Sequence, residues 1–152
     1  MSFMTWHQLY VTHVDWTDGK RFSRFVTSLV ESLGLRFVFV GVVEGGEVGR
    51  LIDSCQGRVV PTEKLVEEIA TVVSFDWCDL YFPKSEQYGV ADGLDCRAGI
   101  SGTHLTVRIL DGWTLEVYSP DPAALKVAVT LHGEGVEVEY DSGTLEELTI
   151  GD

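Results

Sequence analysis

Phe22, Phe25, Val26, Leu29, Val30 and Leu33 recur at the spacing of one helical stripe, the repeat by which an amphipathic helix buries one side. Asp18 stands where an N-cap belongs, and Gly34 stands where the chain should leave the helix. Before this helix, residues 5–14 are rich in aromatic and β-branched types and predict a strand. After it, residues 35–43 are apolar on both alternating faces, the pattern of a central strand covered on two sides. Gly45-Gly46 predicts a two-residue turn that would set Val43 opposite Val48 and Val40 opposite Leu51. A second helix is expected over 62–73 behind Pro61, with Leu65, Ile69 and Val73 as its stripe. A strand follows over 75–82.

Residues 83–102 break this regularity. They hold four of the sixteen glycines and show no sustained period, which marks a functional loop, a mobile segment or a short element too weak to read. Residues 103–110 and 113–119 then predict a hairpin. A two-residue Asp111-Gly112 loop would put apolar and polar side chains on one face. A three-residue loop, Leu110-Asp111-Gly112, pairs Val107 with Leu115 and gathers His104, Thr106 and Arg108 beside Tyr118, Glu116 and Thr114. The second register is the better one. A third helix is expected over 121–132, with Pro122 in its first turn and Gly133 past its end. Val136, Val138 and Tyr140 alternate with Glu137 and Glu139, a half-exposed strand. The last segment is open: Thr144 and Glu147 have capping-box spacing, while Leu148 and Ile150 alternate.

These elements predict one α+β domain over 1–152, a two-layer sandwich of about three helices on a mostly antiparallel sheet. Residues 1–82 follow the βαββαβ order of a ferredoxin-like unit. Residues 83–102 form the Gly-rich loop, and 103–152 supply the hairpin, a helix, the acidic strand and the tail.

Length and apolar content agree with one core. The chain has 152 residues, 45% of them hydrophobic, enough to bury about 70% of its unfolded surface. The three cysteines, Cys55, Cys78 and Cys96, show no paired spacing and predict buried free thiols in a reducing cytosol. No basic stretch precedes an apolar one near Met1, and the most apolar run, 37–43, is too short to cross a bilayer, so a cytoplasmic protein with no membrane partner is expected.

Charge changes the picture most. The chain carries 24 acidic and 11 basic side chains, a net −13, which opposes nucleic acid and favours cationic partners. Residues 1–40 hold three acids against four bases, whereas 133–152 hold seven acids and no base. More than half of the net charge therefore lies in the last 20 residues.

Candidate chemistry is sparse. His7 and His13 lie on one strand face about 20 Å apart, too far to share a metal. The acids and thiols of 76–79 and 92–96 lack the spacing of zinc or calcium sites. No cofactor motif, metal site or catalytic residue is assigned. Lys20, Arg21 and Arg24 crowd the start of the first helix, where Asp15 and Asp18 neutralise them on a solvated face.

The expected function is binding rather than catalysis: a small acidic inhibitor that neutralises a basic protein through an acidic C-terminal face. Size and charge are similar to those of bacterial toxin-immunity proteins that block a nuclease or other basic toxin, a likeness of composition carried by no motif. The contact residues would be Glu134, Glu137, Glu139, Asp141, Glu146 and Glu147, with Tyr88, Asp92 and Asp95 from the Gly-rich loop. The alternative is a small-ligand or enzymatic pocket between 83–102 and the 103–119 hairpin, built from Trp77, His104, Arg108 and Tyr118.

Overall fold

A computed structural model describes residues 4–12, 19–85, 87–88, 96–131 and 137–151. The elements are β1 (Trp6–Thr12), α1 (Gly19–Leu33), β2 (Phe37–Gly46), α2 (Gly49–Cys55), β3 (Val59–Pro61), α3 (Thr62–Ile69), β4 (Ser74–Pro83), α4 (Cys96–Ser101), β5 (Thr103–Leu110), β6 (Thr114–Ser119), α5 (Pro122–Leu131) and β7 (Glu137–Gly143). The strands form one antiparallel open sheet in the order β3-β2-β4-β5-β6-β1-β7. The protein is a mixed α+β fold, with five helices among the described residues against about three expected. The two unforeseen helices, α2 and α4, have seven and six residues, too few turns for a stripe to stand out.

The strand order departs from a ferredoxin-like unit. β1 and β2 run parallel and are joined by α1, but β4, β5 and β6 lie between them, where a split βαβ places one strand. The β5–β6 hairpin takes the centre because nearly every residue of both strands is buried. β2, expected to be central, has only the three-residue β3 on its outer side. Its apolar run is covered on both faces at Val38, Phe39 and Val40.

Gly45 and Gly46 make no turn. They extend β2 and pair with Phe75 and Ser74. At Gly45, φ is +153° and a Cβ would fall 2.1 Å from the Ser74 carbonyl oxygen, so only glycine fits this cross-strand approach. The expected strand around Val48 and Leu51 is instead α2, which buries Leu51 and Cys55 one turn apart. The true partner of β2 on this side is β3, with Val38 opposite Val60. In α3 the stripe of Leu65 and Ile69 holds, but Val73 lies beyond the helix and is exposed, and Val72 is buried in its place.

The central hairpin keeps the predicted faces and moves its loop by one residue. Leu110 pairs with Thr114, Ile109 with Leu115 and Val107 with Val117. Asp111 and Gly112 take φ of 55° and 71°, the two left-handed positions of a type I′ turn. Trp113 is the extra residue. It stands 62% exposed and restores the parity that an Asp111-Gly112 loop alone would break.

Side-chain alternation divides the sheet into two faces. One packs Leu9, Val11, Val38, Val40, Leu80, Val107, Ile109, Leu115 and Val117 against α1, α2, α3 and α5, with Phe22 stacked edge-on to Phe75 at 5.4 Å. The other is covered by α4 and the chain after β7, where Ile100, Leu145 and Leu148 pack on Trp6, Phe39, Tyr81 and Tyr118. Half of the Thr144–Glu147 capping box forms: the Thr144 N–H donates to the Glu147 carboxylate at 3.2 Å, and a single turn follows in which the Leu148 N–H donates to the Thr144 carbonyl. No helix among the described residues is long and apolar enough to cross a membrane.

Candidate functional site

Strand register aligns a polar row across the second face. Asp79 on β4 lies opposite Arg108 on β5, Arg108 opposite Glu116 on β6, Glu116 opposite Tyr10 on β1, and Tyr10 opposite Glu139 on β7. Arg108 is the hub of this row. Its Nε donates to Asp79 Oδ1 at 3.1 Å, and its Nη1 donates to Glu116 Oε1 at 2.9 Å and to the Gly151 carbonyl at 2.7 Å. Glu116 Oε2 accepts from the Gly151 N–H at 3.1 Å. Trp77 donates its indole N–H to Asp79 at 3.0 Å, and its ring lies 5.5 Å from the guanidinium. Gln8 binds the Tyr118 hydroxyl at 2.8 Å and the Thr149 carbonyl at 2.7 Å.

The core strands are thus tied to the tail by charge-assisted bonds, which are about twice as strong as neutral ones. Arg97 adds two more, donating to the Leu145 and Leu148 carbonyls.

The triad is nearly dry: side-chain exposure is 3% for Arg108, 7% for Asp79 and 1% for Glu116. Burial raises both carboxyls above their ordinary values of 3.8 and 4.5, and Arg108 opposes that rise in each case. Burial alone would lower Arg108, but Asp79 and Glu116 hold it above its usual value. Two acids and one base leave a net negative charge inside. An acid whose native pKa is raised binds its proton more tightly in the folded chain, so stability is greatest below the unfolded pKa and is lost as pH rises through the native one. Urea midpoints should therefore rise as pH falls from neutral toward the unfolded carboxyl range. E116Q should flatten part of this slope, and a midpoint that falls over the same interval would contradict the assignment.

The acids of β7 flank this network. Glu137, Glu139 and Asp141 alternate along the strand and share one face, opposite Thr12, Tyr10 and Gln8 respectively. All three are exposed, and so are Glu146 and Glu147 on the turn that follows. A cleft of about 370 Å³ joins the two regions, lined by Gln8, Tyr10, Glu116, Glu139, Tyr140, Asp141, Thr149 and Gly151. Such a cleft presents carboxylate oxygens as acceptors for an ammonium or guanidinium group. No family model, curated protein or solved structure matches the chain.

Of the expected contact residues, Glu137, Glu139 and Asp141 share one face of β7, while Glu146 and Glu147 are exposed on the turn that follows. Glu134, Asp92 and Asp95 lie outside the described residues. Tyr88 stands apart from the acids: its ring packs on Phe39 at 5.4 Å and its hydroxyl donates to the Gly99 carbonyl at 2.7 Å. Of the alternative pocket, Trp77, Arg108 and Tyr118 belong to the covered second face. His104 is exposed at the far end of β5 and lines a separate recess with Leu35, Ser119 and Asp121. Among the described residues no three His, Cys, Asp or Glu side chains are placed to hold a metal. Cys55 and Cys78 are buried thiols, and Cys96 is half-buried.

Asp79, Glu116, Gln8 and Tyr10 carry the network and cleft, and sequence reasoning did not assign them. Their one local signal is a polar residue at a buried strand position. That signal acquires meaning only when the neighbouring strand is known.

Proposed function

We propose that this protein binds a basic protein partner through the acidic face of β7 and the cleft beside it, as a small acidic inhibitor would. The observation that supports this reading is the alignment of Glu137, Glu139 and Asp141 on one exposed strand face, with Glu139 and Asp141 also lining the adjoining cleft. Like charges held this close repel in the free protein. A cationic surface relieves that repulsion, and the same field speeds encounter. The ordered strand holds the acids in a fixed row, which lowers the entropy lost on binding.

Calorimetric titration with a peptide rich in lysine and arginine tests the reading. E137Q/E139Q/D141N should weaken binding about tenfold and reduce its salt dependence, since each exposed pair contributes up to about 1 kcal/mol. E44Q/D53N/E67Q removes three exposed acids elsewhere and should leave affinity near that of the parent protein. Equal losses in the two variants would reduce the effect to net charge and overturn a β7 site.

A further inference from the structure

We infer that the outer edge of β7 takes up an extended basic segment of the partner as an additional strand; this rests on the basic-partner reading above and specifies its mode. The two edges of the sheet differ in kind. At one end, β3 has three residues and finishes in Pro61, the short, proline-ended edge that resists further pairing. At the other end, β7 has seven residues without proline. Among the described residues it pairs with β1 alone. Every one of its side chains is exposed or half-exposed, with Tyr140 at 60%. A strand edge of this length offers backbone donors and acceptors to an incoming chain.

Side chains determine which chain can use it. Glu137, Glu139 and Asp141 occupy one face of β7 and Val138 and Tyr140 the other. A pairing strand sets its alternate residues directly beside these, where opposite charges attract and like charges repel. A second β7 would bring acids against acids, so the edge disfavours self-pairing. The complementary segment has Lys or Arg at every second position, with β-branched or aromatic residues between them to lie along Val138 and Tyr140.

The test uses the whole protein and two capped peptides of equal charge, Thr-Lys-Val-Arg-Val-Lys-Thr and Thr-Lys-Pro-Arg-Pro-Lys-Thr. The second cannot complete a ladder, because each proline lacks its N–H. The valine peptide should bind at least about tenfold more tightly than the proline peptide, and E137Q/E139Q/D141N should lose about tenfold for the valine peptide. Bound valine peptide should also slow amide exchange across Glu137–Gly143. Equal binding of the two peptides, with loss in the variant, would overturn strand addition and leave the acidic face standing. Binding of neither peptide would overturn both readings. Failure to bind, together with dimer formation by the neutralised variant in light scattering, would assign the acids to guarding the edge.

Discussion

Arg108→Met should destabilise the protein by about 3–5 kcal/mol, because it leaves two buried carboxyls without their cation. The side chain is 3% exposed and holds Asp79, Glu116 and the Gly151 carbonyl at once. Solvent screening offers little relief at such burial. In thermal unfolding the loss should appear as a fall of roughly 10 °C or more in Tm. The penalty should shrink toward acid pH, where Asp79 and Glu116, already raised by burial, take up protons and no longer need a counter-charge. Replacing all three residues by apolar ones of similar volume should recover most of the stability, as removal of whole buried ion triads does elsewhere. A cost below about 1 kcal/mol for Arg108→Met would mean that water reaches the cluster and the triad is no buried hub.

Leu148→Ala tests the second cover of the sheet and should cost about 2–5 kcal/mol. Leu148 is 2% exposed and packs with Leu145, Ile100, Trp6 and Tyr118 on the face opposite the helices. Its carbonyl also accepts from Arg97, so the loss of packing loosens a segment that carries polar bonds. Exchange of backbone amides should rise first in 144–151, while α1 and α3, packed on the other face, stay protected. Local opening of this kind follows the contacts of each segment rather than the global stability. An effect under about 0.5 kcal/mol, typical of a surface site, would show that the tail is no part of the folded core.

The elements best foreseen are those with long, clean periods. The α1 stripe of Phe22, Phe25, Val26 and Leu29 is buried as its spacing requires, and the central hairpin has the faces its alternation predicts. Errors fall where the signal is short or shared. Leu51 and Cys55 repeat over a single turn and can be read as a strand. Gly45-Gly46 looks like a turn because glycine permits one, yet the pair is demanded by the close passage of Ser74. Alternation favours a loop over 110–112 and passes over a two-residue Asp111-Gly112 turn, yet the chain makes a type I′ turn there. The register is displaced because Trp113 bulges to keep the two faces consistent.

The candidate site divides in the same way. Glu137, Glu139 and Asp141 share a face because strand side chains alternate, a local rule that sequence carries in full. The triad is another matter: Arg108 meets Asp79 across 29 residues and Gly151 across 43. By itself the sequence determined the longer helices and most of the strands, which side of those elements turns inward, and where the acids collect. Tertiary structure decided which strands are neighbours, that Arg108 stands between two acids, that the tail closes the second face, and that the acidic strand lies at an open edge. Periodicity reports burial of one face of one segment. Strand order depends on how all seven strands share two layers of packing, a competition that no single segment records.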